Sequence, residues 1–475
     1  MLLAGALAAC TVGPDYERPD LAARTGAAWR QPSGAVVQYE RSTLSQWWRQ
    51  FGSPELAALA ERLVGENLSL AAARERIVAA WARRGVVDAD RLPRAAGFAG
   101  YTRAGTGDRG LNFQGPPAGR NVDVWSIGAT AGWELDLWGR IARRNEAAEA
   151  EIEIAVEDYR GAAVSLLAEL ALAFVDASTL HDRLAVARRG IALQQETARL
   201  AQTKVDAGRG TRLDVDQAER ELERSQAIVP ALQLALATAE NRVAVLVGER
   251  PADGVVLAGD RLELPPEIGL GVPADLLARR PDVRRSERRL AAATAYVGAT
   301  EAERYPQITL DGTVALRAQQ LSTLTSGAPA LSYSFGPGLT IPLFTGGRID
   351  AAVAAAESAV DLARVELERA LLEAIAEVEN AAEGVLRTRE RHARLAASAT
   401  AARRAVDFAR SLYDSGRRDL LQVLDAERAL VQIEDELLVA RQAAFVQTIA
   451  LYRALGGGFE AVGQDGLMAA EGSGQ

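Results

Sequence analysis

Residues 347–378 read GRIDAAVAAAESAVDLARVELERALLEAIAEV, and the same pattern runs on to Ser415 without a proline. Its apolar positions, Val353, Val360, Leu367, Leu371, Ala374, Val378, Ala382 and Val385, recur at three-and-four spacing, which predicts one helix with a coiled-coil seam. Alanine at most other semi-buried sites lets neighbouring helices approach closely. Upstream lies a second copy. Gly139-Arg140-Ile141 recurs as Gly347-Arg348-Ile349, Gly208-Arg209 as Gly416-Arg417, and Gly248 as Gly456, each at a separation of 208 positions. The chain is an internal duplication. Each copy spans 68 steps between its opening Gly-Arg and its closing glycine, a helix of about 100 Å at 1.5 Å per residue. A filamentous rod has such helices too, so what precedes them decides the fold.

Two strands precede each helix. In Val122–Leu135 the odd positions Trp125, Ile127, Ala129, Ala131, Trp133 and Leu135 are apolar, while Ser126, Gly128, Thr130, Gly132 and Glu134 are small or polar. In Leu331–Leu343 the apolar set is Leu331, Tyr333, Phe335, Leu339, Ile341 and Leu343, and the strand Ile308–Leu316 alternates likewise. Ala95–Arg103 is the fourth strand, with faces that its sequence does not assign. Strands of about ten residues, apolar outside, polar inside and aromatic near the ends, are the pattern of a transmembrane β-barrel. That reading makes Trp125, Trp133, Tyr333 and Phe335 lipid-facing. Four strands cannot close, because about eight form the smallest barrel and lipid tolerates no open edge. Copies must join in a ring; two, three or four copies satisfy closure.

The helices account for the remaining length. Pro54 opens a helix that runs to about Leu92, and Leu213–Val247 returns from the first tip with a kink expected at Pro230. Two half-length helices stacked end to end match one long helix. The chain therefore divides into a signal-like segment (1–9), a lipid-anchored extended segment (10–53) and a first repeat of helix, two strands, long helix and half helix (54–247). A mid-height connection (248–272), a second repeat (273–456) and a flexible tail (457–475) follow. No apolar run beyond the N-terminus reads as a membrane-spanning helix. The formal charge of −9 and the lack of a basic cluster argue against nucleic acid as partner. The single cysteine, Cys10, follows Leu7-Ala8-Ala9 in a lipobox-like context and is the candidate lipid anchor.

Chemistry has little support. His181 and His392 are 211 positions apart and not repeat-equivalent, and no thiol pair, phosphate loop or nucleophile elbow is present. No catalytic, cofactor-binding or metal-ligating residues are assigned, and no enzyme is read. Both tips are short polar turns, Gly208-Arg209-Gly210-Thr211 and Gly416-Arg417-Arg418-Asp419, about 100 Å from the strands. Just inside the second, Leu421 and Asp425 lie one turn apart on one helix face. In a ring they would form stacked apolar and acidic collars; as a lone pair they are an ordinary exposed leucine and a carboxylate favoured by a helix start.

Further residues carry a resemblance over essentially the whole chain: Cys10-Thr11-Val12-Gly13-Pro14-Asp15-Tyr16, Trp47-Trp48 with Phe51, Arg280-Pro281-Asp282-Val283, Pro342-Leu343-Phe344 and Leu451-Tyr452-Arg453-Ala454-Leu455-Gly456-Gly457. The sequence resembles TolC-family outer-membrane factors, in the OprM/NodT lipoprotein branch of resistance-nodulation-division efflux systems. That resemblance implies an α+β homotrimer with a twelve-stranded barrel in outer-membrane lipid and a helical tunnel through the periplasm. It implies lipidation of Cys10, a periplasmic gate at Leu421 and Asp425, and docking of the two tips to a periplasmic adaptor (membrane fusion) protein that links an inner-membrane efflux transporter. Alternatives of other kinds are a type I protein-secretion duct and a structural trimeric coiled-coil surface protein.

Overall fold

A computed structural model describes residues 11–20, 44–105, 121–253, 257, 262–265, 277–326 and 329–462. In chain order these form α1 (Pro54–Glu66), α2 (Leu68–Asp88), β1 (Arg94–Gly105), β2 (Asn121–Leu135), α3 (Arg140–Asp206), α4 (Arg212–Gln226) and α5 (Ile228–Leu246). The second half gives α6 (Pro281–Glu301), β3 (Gln307–Ala318), the short α7 (Leu321–Ser326), β4 (Ala330–Thr340), α8 (Arg348–Asp414) and α9 (Leu420–Ala454). Cys10, the 1–9 segment and most of the 248–272 connection lie outside the described residues.

The long helices α3 and α8 each have 67 residues, and their ends sit at equivalent positions of the two repeats. Glycine sets both boundaries. Gly139 and Gly347 precede the helices at φ of +78° and +81°, where a side chain is strained. At the far ends Gly208 and Gly416 are also left-handed, and each closes the same pair of bonds. Arg209 N–H donates to Lys204 O and Gly208 N–H to Val205 O; Arg417 N–H donates to Leu412 O and Gly416 N–H to Tyr413 O. This double closure satisfies carbonyls that a helix end leaves open.

Upper and lower helices stack end to end as their lengths require. α6 and α9 (about 32 and 53 Å) both pack along α8 and α3. Their joint is Arg280, whose Nη1 donates to Ala454 O at 2.6 Å while Asp282 and Glu377 hold its other nitrogens. The first repeat makes the same joint with different residues. Asn67 Nδ2 donates to Leu246 O at 2.7 Å, and Arg62 pairs with Glu249.

Several expectations are corrected. The helix read as continuous from Pro54 to Leu92 is broken at Asn67, whose Oδ1 caps α2 through Ser69 and Leu70 N–H and whose amide makes the joint just described. The returning helix is interrupted at Ala227, three residues before Pro230. Proline lacks the N–H that would bond Gln226 O, so the break precedes it. β4 ends at Thr340 rather than Leu343. The 10–53 segment is not extended throughout: Trp47–Phe51 is a 3-10 turn with Trp47, Trp48 and Phe51 buried. The tail starts later than Gly457, because Gly457 and Gly458 close on Trp47 and Trp48, and Phe459–Val462 forms another 3-10 turn. By length and composition α3 does qualify as a membrane span, but 67% of its apolar window is buried in the mid-height core.

That core gathers Trp47, Phe51, Leu56, Leu63, Ile77, Leu167, Phe174, Val243, Phe445 and Tyr452 where the stacked helices meet. Trp47 stacks on Tyr452 with ring centroids 5.1 Å apart, and Phe51 lies 5.5 Å from Phe445. Replacing Trp47 by alanine should remove about 3–5 kcal/mol of stability. The expected result is a lower thermal midpoint of the helical circular-dichroism signal, and an unchanged midpoint would contradict this placement of the core.

Candidate functional site

The four strands form one antiparallel sheet in chain order, with β1 and β4 as its edges. The register puts the alternating residues of adjacent strands on shared faces. Trp125 faces Ala318, Ile127 faces Leu316, Trp133 faces Leu310 and Leu135 faces Ile308, while Val314 faces Tyr333, Gly312 faces Phe335 and Leu316 faces Leu331. One face is therefore apolar from β2 to β4. Tyr333 is 71% and Phe335 75% exposed on it. β1 now has assigned faces too: Ala95, Gly97, Ala99 and Tyr101 share the face of Trp125, and Phe98 lies on the other. The Tyr101 and Trp125 rings meet at 4.7 Å. Trp133, eight residues and about 27 Å along the strand, donates Nε1–H to Arg91 O at 2.9 Å. Aromatic rings thus mark both ends of a membrane-thick apolar band. The opposite face carries Thr309, Asp311, Thr313, Ser126, Thr130 and Glu134, a surface suited to water.

At the far end of α3 and α8, four helix ends converge. Ala201 of α3, Val215 and Ala218 of α4, Tyr413 of α8 and Leu420, Val423 and Leu424 of α9 make a small apolar cluster. The first tip is built by Thr211, which caps α4 reciprocally with Asp214. At the second tip Asp419 sits at the N-cap position of α9 without a side-chain cap bond. Leu421 is 54% exposed. Asp425 is exposed as well, and its Oδ1 accepts from Arg428 Nη2 at 2.7 Å. Leu421, Asp425 and Arg428 therefore form one exposed row on α9, while Leu420, Val423, Leu424 and Glu427 form the buried row.

Three features of this tip escaped the sequence reading. Lys204, the only lysine in the chain, donates Nζ–H to Tyr413 O at 2.7 Å and lies 3.5 Å from the Tyr413 ring centroid. It thereby covers a carbonyl in the last turn of α8. Burial, then the charges of Asp214 and Asp414, push the Tyr413 phenol up. Glu427 is buried between α3 and α8, accepting from Thr197 Oγ1 at 2.7 Å and Arg410 Nε at 3.1 Å. The readable signals were a lone lysine and a carboxylate placed on an apolar helix stripe. Among the described residues no cluster of His, Cys, Asp or Glu could hold a metal ion.

A one-sided apolar sheet carried on a row of long helices defines a subunit of a membrane-barrel channel with a long helical extension. A model of the family described as outer membrane efflux protein matches residues 59–249 and 272–457, once over each repeat. Nodulation protein T of Rhizobium leguminosarum bv. viciae is 30% identical over 461 residues, covering 96% of this chain and 92% of that protein. Outer membrane protein OprJ of Pseudomonas aeruginosa is 31% identical over 468 residues, covering 97% and 95%. Among solved structures, the outer-membrane channel OprN superposes with a TM-score of 0.85 at 35% identity, over 95% of this chain and all of that one. The chain belongs to the outer membrane efflux protein family, with the TolC-like channel fold, and that family is one of channels rather than enzymes.

Lys204 also supplies a probe of the tip, since a lysine-specific protease has one cleavage site in the chain. Tyr413→Leu removes the ring contact, worth about 1–2 kcal/mol when partly desolvated. Cleavage after Lys204 should then be about 5 to 30 times faster than in the parent protein. Equal rates would show that Tyr413 does not hold Lys204.

Proposed function

We propose that three copies join β4 of one to β1 of the next, closing a twelve-stranded barrel in the outer membrane. The helical rows then join into a tube through which small molecules leave the periplasm. The observation that carries this reading is the pair of open sheet edges flanking an apolar face. The helices support it. Along the tube, α3 packs between α2 or α5 on one side and α6 or α9 on the other, and α8 lies beyond. The two outer members of this row expose apolar residues: Leu362, Val365, Leu372 and Phe408 on α8, and Val86, Leu234 and Val245 on α2 and α5. Ring closure covers both sets against each other.

Energy for transport comes from an inner-membrane transporter, and a periplasmic adaptor docks on Gly208–Thr211 and Gly416–Asp419. By the length of α3 and α8 those turns lie about 100 Å from the sheet. The exposed row of Leu421 and Asp425 lines the aperture just inside. Three copies of Asp425 drawn together repel unless paired, and Arg428 offers each a partner on its own helix. Adaptor docking spreads the helix ends and widens the opening.

The chain is also anchored by lipid at Cys10. Two contacts support this. Val12 N–H donates to Trp138 O at 3.0 Å, and Thr11 packs on Gly139. The residue following Cys10 therefore sits where β2 passes into α3, at the inner margin of the apolar band. Gly13 crosses Gly298 with no room for a side chain, and Arg143 clamps Val12 O, Gly13 O and Asp15.

Single-channel conductance in planar lipid bilayers tests the aperture. Leu421→Ala combined with Asp425→Ala should raise the conductance several-fold, and an unchanged conductance would remove these residues from the gate.

A further inference from the structure

Glu427 is fully buried (0% exposed) two residues from Asp425, on the opposite side of α9. Its Oε1 has two donors, Thr197 Oγ1 and Arg410 Nε, whereas its Oε2 is buried without a partner. One turn back on α3, Gln194 is 2% exposed, and its Oε1 is likewise buried and unpartnered. These surfaces face each other. Thr197 bonds Glu427, and one turn farther from the tip a Cβ on Gly190 would stand 2.8 Å from Val431 Cγ2. Two acceptor oxygens thus occupy meeting helix faces, and among the described residues neither has a donor. One proton shared between them satisfies both.

We propose that Glu427 is a positioning residue for the aperture. Protonated on Oε2 and donating to Gln194 Oε1, it holds the tip of α9 against α3 and α8; ionised, it lets the tip loosen. The inference rests on the reading of Leu421 and Asp425 as the aperture, and extends it to what keeps that aperture narrow.

The surrounding charges agree. Burial pushes the Glu427 carboxyl up, and Glu196 of α3 adds to the rise, while Thr197 of α3 and Arg410 of α8 oppose it. Arg410 is divided among Glu427, Glu196, Thr197 Oγ1 and Leu193 O. On α9 itself Asp425 and Arg428 pair outward, and the buried face of α4, which packs on α3 and α9, carries apolar Val215 and Ala218 and the carboxylate of Glu221. A packed tip with a raised carboxyl pKa binds its proton more tightly than a spread tip in which that carboxyl meets water. Falling pH therefore favours the packed tip, and rising pH through the packed-state pKa favours the spread one. Each unit by which the two pKa values differ changes the ratio of the two states by up to about tenfold per copy.

Two readouts test this on the full-length protein between pH 5 and pH 8 (approximate limits, spanning the range above ordinary carboxylates). One is bilayer conductance. The other is cleavage after Lys204, normalised to an unstructured peptide, which reports tip packing whatever the aperture does. In the parent both should rise several-fold with pH. Glu427→Gln, whose amide can donate to Gln194 Oε1 permanently, should stay low and flat. Gln194→Leu, lacking the acceptor, should shift the rise to lower pH, and it carries the test alone if Glu427→Gln does not assemble. A parental pH profile in both variants, or no pH dependence in the parent, overturns the proposal. Cleavage that follows the prediction while conductance does not would retain the role of Glu427 in packing and overturn the aperture reading instead.

Discussion

Backbone hydrogen bonding at the edges of a four-stranded sheet governs everything else in this molecule. β1 and β4 have 12 and 11 residues, and each has a pairing partner on one side only. In water such edges are tolerable. In hydrocarbon each unpaired N–H or C=O costs several kcal/mol, so a row of them cannot persist. The apolar face from Ile127 to Phe335 commits the sheet to lipid, and closure with other copies is the way to satisfy its edges. A ring of sheets then requires a ring of helices, which is why α3 and α8 both pack along α6 and α9, with alanine-rich surfaces that let the helices approach closely.

Duplication supplies the ring economically, but the copies have diverged where they need to differ. Both repeats keep the left-handed glycines at helix starts, tips and joints. In the second repeat the return helix α9 is unbroken over 35 residues, whereas in the first it is divided at Ala227 into α4 and α5. The mid-height aromatic cluster also lacks repeat symmetry: Trp47 and Phe51 come from before the first repeat and pack on Tyr452 and Phe445 of the second. That cluster ties the turn before α1 to the end of α9 at the level where stacked helices abut.

Much of this was legible from residues alone. The ends of α3 and α8 could be placed to within a residue, because a glycine at positive φ leaves a mark that no other residue type supplies as readily. The faces of β2, β3 and β4 followed from a period of two, and the register confirms them. Other features were hidden for physical reasons. The segment around Trp47 has no periodicity, so its burial depends on partners about 400 positions away. Asn67 lies within an apolar helical pattern read as continuous, yet its side chain acts as both a cap and a joint. Leu421 and Asp425 were visible as an i, i+4 pair. The buried row behind them, Glu427 with Thr197 and Arg410, needs three helices to meet across more than 200 positions, a contact that local pattern does not encode.

The most direct test is whether the sheet edges are in fact closed by other copies. Native mass of the detergent-solubilised particle, measured together with amide hydrogen exchange in β1 and β4, answers it. The account predicts three times the 50.5 kDa chain mass and slow exchange along both edge strands. A stable particle of one chain mass, with the outward amides of β1 and β4 exchanging freely, would contradict it.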